Sequence, residues 1–582
     1  MKKLLLGLPL FLFTHFSPAQ IAFNLGSPFQ DRATAIDRDE GGNIYLTGSF
    51  QEVFELDPVL GGSSLIAQGD PNSADSQDVF LARYNTDGSL AWGFAISSPG
   101  LDKSFAVEAI GGFVFVCGFI QGEADFDPGV TTSILNSGTG QDAFIAAYDT
   151  LGNFRWAQVL GDEEGGPFLP EDERYEIAYD LSADGSGNVY VAGVFEGTID
   201  FEPNNSSPFD SFFSVNDGNG IPSRDIFIVS YDPVGNYRWG FGVGGMEGEE
   251  AQAIRFRQGQ LFVGGKFEGT TDLNPSGQQN NFSSKGEYDA FLARYQATDG
   301  TFDWGHSWGS GGMDEVAQGA IDFNLGGQLF VGGNFEGNVD FDPSNSLLEI
   351  SSQGQSDMFV SRFELDGTYA WTRTDGGIGI DLLTDVGIDN PGFVYSSGTS
   401  EGLLYVRRRD RDGNPSWERQ IGSIQGNDPL RQRVENMSIS ELGDIYFGGG
   451  FFQSMDVDPG VNELNLISEG GSDAFVLRYS PDGSLGIFGT SIRPDFSSIA
   501  ANRNLYPNPS QSYINLDLSW KQRSDFRLQL LNIHGQILWE QDYPDQVGDQ
   551  NYSLEIKNLS PGWYVLRGES EGSSFVEKVS IQ

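Results

Sequence analysis

Apolar and polar residues alternate with period two in short runs that recur from about residue 33 to residue 480, and Gly-, Asp- or Asn-rich turns separate the runs. Period two sends successive side chains to opposite faces of an extended chain, so the runs predict short strands. The stretch from Ile177 shows one full unit. Ile177-Ala178-Tyr179-Asp180-Leu181 alternates, Asp184 to Asn188 makes a turn, Val189 to Phe195 is a second strand, and Asp200-Phe201-Glu202-Pro203 follows it. After a longer loop come a third strand, Asp225 to Tyr231, the turn Pro233-Val234-Gly235-Asn236 and a fourth strand bearing Trp239.

Comparing the chain with itself finds seven copies of this unit. The second-strand glycine recurs as Gly48, Gly118, Gly193, Gly265, Gly333, Gly398 and Gly449, and the fourth-strand tryptophan as Trp92, Trp156, Trp239, Trp304, Trp371 and Trp417, with none in copy seven. A four-strand meander cannot bury both faces alone. Seven in succession therefore predict an all-β chain whose residues 20–492 form a seven-bladed β-propeller. Two segments could complete the last blade: Ile21 to Gly26, which precedes the first strand (Ala33 to Asp37) where a tryptophan strand is expected, or Leu485 to Gly489.

Turns between strands one and two and between strands three and four are tight, whereas the two-to-three and four-to-one connections are long. A meander puts both long kinds on one face, which makes that face the place for binding loops. Candidates are the acidic stretch Asp162 to Glu176, the loop around His306 and Trp308, and six two-to-three loops. Those six open with one phrase: Glu55-Leu56-Asp57-Pro58, Asp125-Phe126-Asp127-Pro128, Asp200-Phe201-Glu202-Pro203, Asp272-Leu273-Asn274-Pro275, Asp340-Phe341-Asp342-Pro343 and Asp456-Val457-Asp458-Pro459. The period turns the apolar middle residue inward and the two oxygen-bearing side chains together to the other side. An acidic residue also opens strand three in these copies, as Asp78, Asp142, Asp225, Asp289, Asp357 and Asp473. Copy six has Ser400-Glu401-Gly402 for the loop and Leu403 for that aspartate, so both features disappear together. Clustered hard oxygens suggest calcium, with Asp57, Asp125, Asp127, Asp200, Glu202, Asp272, Asp340, Asp342, Asp456 and Asp458 as ligands. The alternative is that they cap turns by accepting loop N–H groups.

Composition narrows the chemistry. The 78 Gly and 45 Phe among 582 residues suit many short strands and turns. Lys2 and Lys3, the apolar run Leu4 to Phe13 and Ser17-Pro18-Ala19 read as a signal peptide over residues 1–19. Its removal, with two lysines, takes the formal net charge from −49 to −51. Such a charge excludes nucleic acid as a partner, and no later run is long enough to span a bilayer. The single cysteine, Cys117, forms no intramolecular disulfide and matches small residues in other copies, as a buried residue would. After processing only His306 and His534 remain, so histidine-based triads and zinc sites are excluded. The basic cluster Arg407, Arg408, Arg409 and Arg411 suits either an anionic glycan or ion pairs with neighbouring acidic blades. His306 and Trp308 suit either sugar stacking or ordinary packing.

The repeats resemble the secreted bacterial β-propeller (SBBP) repeats, whose unit runs A-x-A-I-x-x-D-x-x-G-N-x-Y-V-x-G, then D-A-F and a terminal tryptophan. The resemblance covers about Ile21 to Ile492; it implies fold and leaves activity open. From Leu505 glycine thins out. Tyr506-Pro507-Asn508-Pro509, strands near Tyr513 to Leu518, Arg527 to Ile533 and Trp563 to Arg567, Leu559-Ser560-Pro561-Gly562-Trp563-Tyr564 and Glu577-Lys578-Val579-Ser580-Ile581 are similar to the type A C-terminal sorting domain of type IX secretion substrates. That resemblance implies a small C-terminal β-sandwich over residues 505–582, after a linker at 493–504, handling by the type IX machinery, and removal of the tail with release or anchoring on the outer cell surface. The expectation is a monomeric exported binding or adhesion protein with a glycan or surface-protein ligand. The rivals are a polysaccharide-active enzyme using two carboxylates and a structural surface component.

Overall fold

The computed structural model describes residues 22–57, 63–68, 76–138, 140–161, 175–202, 211–344, 346–400, 402–422, 432–458, 460, 464–486, 500–507, 512–532, 537–557, 559, 562–570 and 573–581. The signal segment, Pro58, Pro203, Pro459, most of the acidic stretch after Asp162, most of the linker and His534 lie outside them.

Every element among the described residues is a strand. Seven four-stranded antiparallel sheets follow one another along the chain. The third comprises Ile177–Ala183, Val189–Glu196, Arg224–Tyr231 and Tyr237–Val243, within a residue or two of the strands read from the alternation. The first strands pack against one another around a central channel. Buried side chains fill the gaps between sheets: Tyr190, Ala192, Ile226 and Ile228 of sheet three meet Ala251, Ile254, Leu261 and Val263 of sheet four. Burying each such large apolar side chain favours folding by about 1.5–3 kcal/mol, so the faces no meander could cover alone become the cores.

The seventh sheet runs Ala22–Leu25, Asn465–Tyr479, Ile445–Asp456, Gln432–Ile439. The segment near the N-terminus is thus its outer strand, with Ala22 opposite Leu477 and Leu25 opposite Ala474. The alternative segment contributes a bridge, Tyr479 to Leu485. The missing seventh tryptophan follows, because the outer strand of that sheet comes from a different part of the chain. Phe23, Leu25, Ala474 and Val476 then pack on Ala33, Ile36 and Leu46 of sheet one.

Both repeated residues have a local cause. A Cβ at Gly193 would run into the Ile177 carbonyl, where the first strand slips register between Ala178 and Asp180, and the other six glycines meet a first-strand carbonyl in the same way. Glycine therefore permits the bulge that aims a side chain into the channel. The tryptophans join neighbours: Trp92, Trp156, Trp239 and Trp417 donate Nε1–H to the carbonyls of Thr150, Pro233, Ala297 and Pro481 in the next sheet, at 2.9–3.2 Å.

Beyond the propeller, Ala500–Tyr506, Tyr513–Asn532, Ile537–Glu555, Gly562–Ser570 and Ser573–Ile581 form a five-stranded sheet. The two strands expected near Tyr513 and Arg527 are one strand, with irregular register between Trp520 and Ser524. Its halves share a core, Ile514 and Leu518 with Leu528, Leu530 and Leu566.

Candidate functional site

The six two-to-three connections are hairpin arms rather than free loops. In sheet two Glu123–Asp125 pairs with Ile134–Asn136. The apolar middle residues, Leu56, Phe126, Phe201, Leu273, Phe341 and Val457, are buried as expected. Each arm lies back along its sheet: Tyr148 at the far end of strand three donates its hydroxyl to the Phe126 carbonyl at 2.8 Å, and Tyr84, Tyr231, Tyr295 and Tyr479 do the same for their arms.

Eight of the ten predicted metal ligands, all but Asp57 and Glu202, cap turns through the bonds that follow. Asp125 Oδ1 accepts from the N–H of Asp127 at 3.0 Å and of Ser133 at 2.8 Å, closing the base of the arm. Asp272, Asp340 and Asp456 repeat this two-donor cap, as does Glu55, which receives the Asp57 N–H. Asp200 accepts from the Glu202 N–H at 2.9 Å. Asp127, Asp342 and Asp458 accept from the backbone two residues on. These bonds use no cation. The arms sit on six different sheets, and among the described residues no three His, Cys, Asp or Glu side chains converge to hold a metal.

The channel cavity, about 150 Å³, holds a carboxylate set the sequence reading missed: Asp37, Glu108, Asp180, Asp322 and Asp385, with Arg255 facing them. Each carboxylate accepts from the first strand of the next sheet: Asp37 from Ala109 N–H, Glu108 from Ala183, Asp180 from Ile254, Asp322 from Ile388 and Asp385 from Met437, at 2.7–2.9 Å. Arg255 lies 3.8 Å from Asp322 between sheets four and five, and Asn436 accepts from the Ile36 N–H between sheets seven and one. Burial raises the carboxyls, to about 7 for Glu108 and Asp180. Burial opposes the Arg255 charge, but Asp322, Glu108, Asp37 and Asp180 outweigh it and hold the guanidinium above its ordinary range. One side chain bars the channel. A wide bulge between Val316 and Ile321, with Gly319 at φ +69°, carries Gln318 across to donate Nε2–H to the carbonyls of Phe105 and Tyr179 at 3.0 and 3.1 Å. The extra residues of that bulge were the available sequence signal.

Other expected residues find ordinary partners. Arg407 and Arg409 both pair with Asp375 of the preceding sheet, and Arg407 also pairs with Glu418. His306 and Trp308 lie on the strand Phe302–Trp308, not in a loop. His306 packs against Trp304 and Phe363 with Nε2 2.9 Å from the Gly367 carbonyl, and burial lowers its pKa. Trp308 and Cys117 are buried.

Residues 504–582 match the family model described as secretion system C-terminal sorting domain, and residues 64–90 match the beta-propeller domain of unknown function DUF5122. The regulatory protein FlaEY of Caulobacter vibrioides is 27% identical over 407 residues, 65% of this chain, which spans 37% of that protein's length. Among solved structures, a europium-containing methanol dehydrogenase (10% identity, TM-score 0.36, 74% of this chain and 85% of that one) and the Pan2 WD40 domain of Neurospora crassa (11%, 0.35, 78% and 95%) are similar. The chain is a type IX-sorted β-propeller protein, exported to the cell surface or secreted. No helix among the described residues is long and apolar enough to cross a membrane.

Proposed function

We propose that the exported propeller is a binding or adhesion protein that engages a glycan or surface protein through its hairpin arms. The observation that carries this reading is that the arms, anchored by one repeated device, expose large apolar side chains: Ile66, Ile134, Phe213, Leu347 and Ile467, with Phe213 77% and Ile467 68% exposed. Exposed apolar groups on similar arms suit several weak contacts made at once, which multiply into useful avidity. The channel carboxylates, the set a two-carboxylate enzyme could draw on, are committed to inter-sheet hydrogen bonds and to Arg255, an arrangement that favours cohesion over acid–base work. Calcium at the arm carboxylates is a separate proposal, which the capping bonds do not require.

The test uses the secreted protein recovered from medium. Its retention on cells and on envelope polysaccharide is compared with that of the variant Ile66→Ser, Phe213→Ser, Ile467→Ser. Losing three anchors of about 1 kcal/mol each predicts roughly a hundredfold weaker retention at unchanged melting temperature. Unchanged retention would refute the role of the arms.

A further inference from the structure

Six of the seven interfaces between successive sheets place two carboxyl groups side by side, all of them buried except the half-buried Asp142. The strand-three aspartates read from the sequence are one member of each pair, and the other stands just before or at the start of the next sheet's first strand: Asp78 with Asp102, Asp142 with Glu176, Asp225 with Glu249, Asp289 with Asp314, Asp357 with Asp381, and Asp473 with Asp31. Backbone bonds set the adjacency. The N–H of Asp102, Glu176, Asp314, Asp381 and Asp31 donates, at 2.7–2.9 Å, to the carbonyl of the residue preceding the partner aspartate. Ser223 ties the sixth pair, bonding both Asp225 Oδ1 and the Gly245 carbonyl.

The two members are built differently. Asp102 receives an N–H on each oxygen, from Ser98 at 2.6 Å and Gln121 at 2.9 Å; Asp31 and Asp314 are held the same way. Two backbone donors favour the ionised form. Asp78 and Asp357 each receive one N–H on Oδ2, and their Oδ1 atoms are buried with no hydrogen-bond partner. Asp381 Oδ1 is equally orphaned beside Asp357. An acceptor sealed from water and unpaired is costly, and a proton converts one orphan into a donor for its neighbour. The seventh interface points the same way: where strand three carries Leu403, the next sheet carries Gln432, so both acids are absent together.

We propose that each of the six carboxyl pairs shares one proton at neutral pH, so that the ring of sheets is locked by acid and loosened by base. Burial raises Asp78 to about 8 and Asp102 to about 6, Asp31 to about 7 and Asp473 to about 6, Glu249 to about 9 and Asp225 to about 7, and Asp314 to about 7, and it raises Asp289 and Asp357; repulsion from the partner carboxyl adds to the rise at Asp78, Asp31, Glu249, Asp314 and Asp357. The charged and titratable groups facing them are Glu469 at Asp473, Glu247 at Glu249, Lys285 at Asp289 and Tyr405 at Asp381. Only Lys285 among these opposes the rise. Folded values above the unfolded 3.8 for Asp and 4.5 for Glu mean that the contribution is intact below about pH 4 and is lost progressively as pH rises to about 9.

The test follows melting temperature from about pH 5 to about pH 9, together with the infrared band of protonated carboxyl groups, on the mature protein. Asp78→Asn with Asp357→Asn, whose amides mimic the protonated acid, is expected to weaken the neutral-pH band and flatten the pH dependence. Leu403→Asp with Gln432→Asp, which adds a seventh pair, is expected to steepen it. An unchanged band and slope in a folded variant of either kind would overturn the proposal. A rise in melting temperature at about pH 9 in calcium over equal-ionic-strength sodium, lost in the Asn variant, would also overturn it by making the pairs cation sites.

Discussion

Arg255 carries more of the channel's charge balance than any neighbour described here. It faces Asp37, Glu108, Asp180 and Asp322, and its side chain keeps 42% of its surface open to the channel. Removing one partner of a sealed ion pair costs about 3–5 kcal/mol. Water in the channel reduces that, so Arg255→Met is expected to cost roughly 1–3 kcal/mol. The loss should be larger near pH 8 than near pH 5, where burial-raised carboxyls are already protonated. Denaturant melts at both values check the sign, and equal losses would detach Arg255 from those carboxyls. At this scale the sequence was least legible. Asp37 and Glu108 look like any of the 82 acidic residues until the hydrogen bonds they accept from Ala109 and Ala183 show that they link sheets. The inter-sheet partners Asp31, Asp102, Glu176, Glu249, Asp314 and Asp381 recur 16–19 residues before the repeated glycine, so the same self-comparison could have found them.

Within the elements, the hairpin arms were half legible. Period two correctly buried Phe126 and its equivalents, but nothing local revealed that a tyrosine some twenty residues away would draw the arm back along the sheet. Copy five supplies an internal control: Phe363 stands where the other five copies with an arm carry tyrosine, and its arm still buries Phe341. Tyr231→Phe is therefore expected to keep the fold and cost about 0.5–1.5 kcal/mol, the worth of the 2.6 Å bond to the Phe201 carbonyl. A thermal melt showing no loss would mean that aromatic packing alone anchors the arm. The calcium proposal belongs here too. It predicts a higher melting temperature in calcium than in sodium of equal ionic strength, with the difference abolished by Asp125→Asn plus Asp127→Asn; equal melts would leave turn capping as the whole role of these carboxylates.

For the whole molecule, the repeat count and the tail were the most legible features, because both are patterns over many residues and survive local noise. Closure was not, since two segments competed for the last strand position until pairing of Ala22–Leu25 with Asn465–Tyr479 put the first of them there. Deleting residues 504–582 is expected to stop the protein from crossing the outer membrane, with a folded propeller accumulating inside; unchanged export would disconnect the sorting domain from transport.

Whether the exported propeller binds without transforming what it binds is decided by one panel measurement. The mature protein is incubated with envelope and extracellular polysaccharides, and both bound protein and released sugar are quantified for every member. The account predicts saturable retention on some members with no product formed, and retention that weakens in the Ile66→Ser, Phe213→Ser, Ile467→Ser variant. Steady release of product, abolished by changing a single channel carboxylate such as Glu108→Gln in a protein that still melts cooperatively, would contradict it and make the channel an active site.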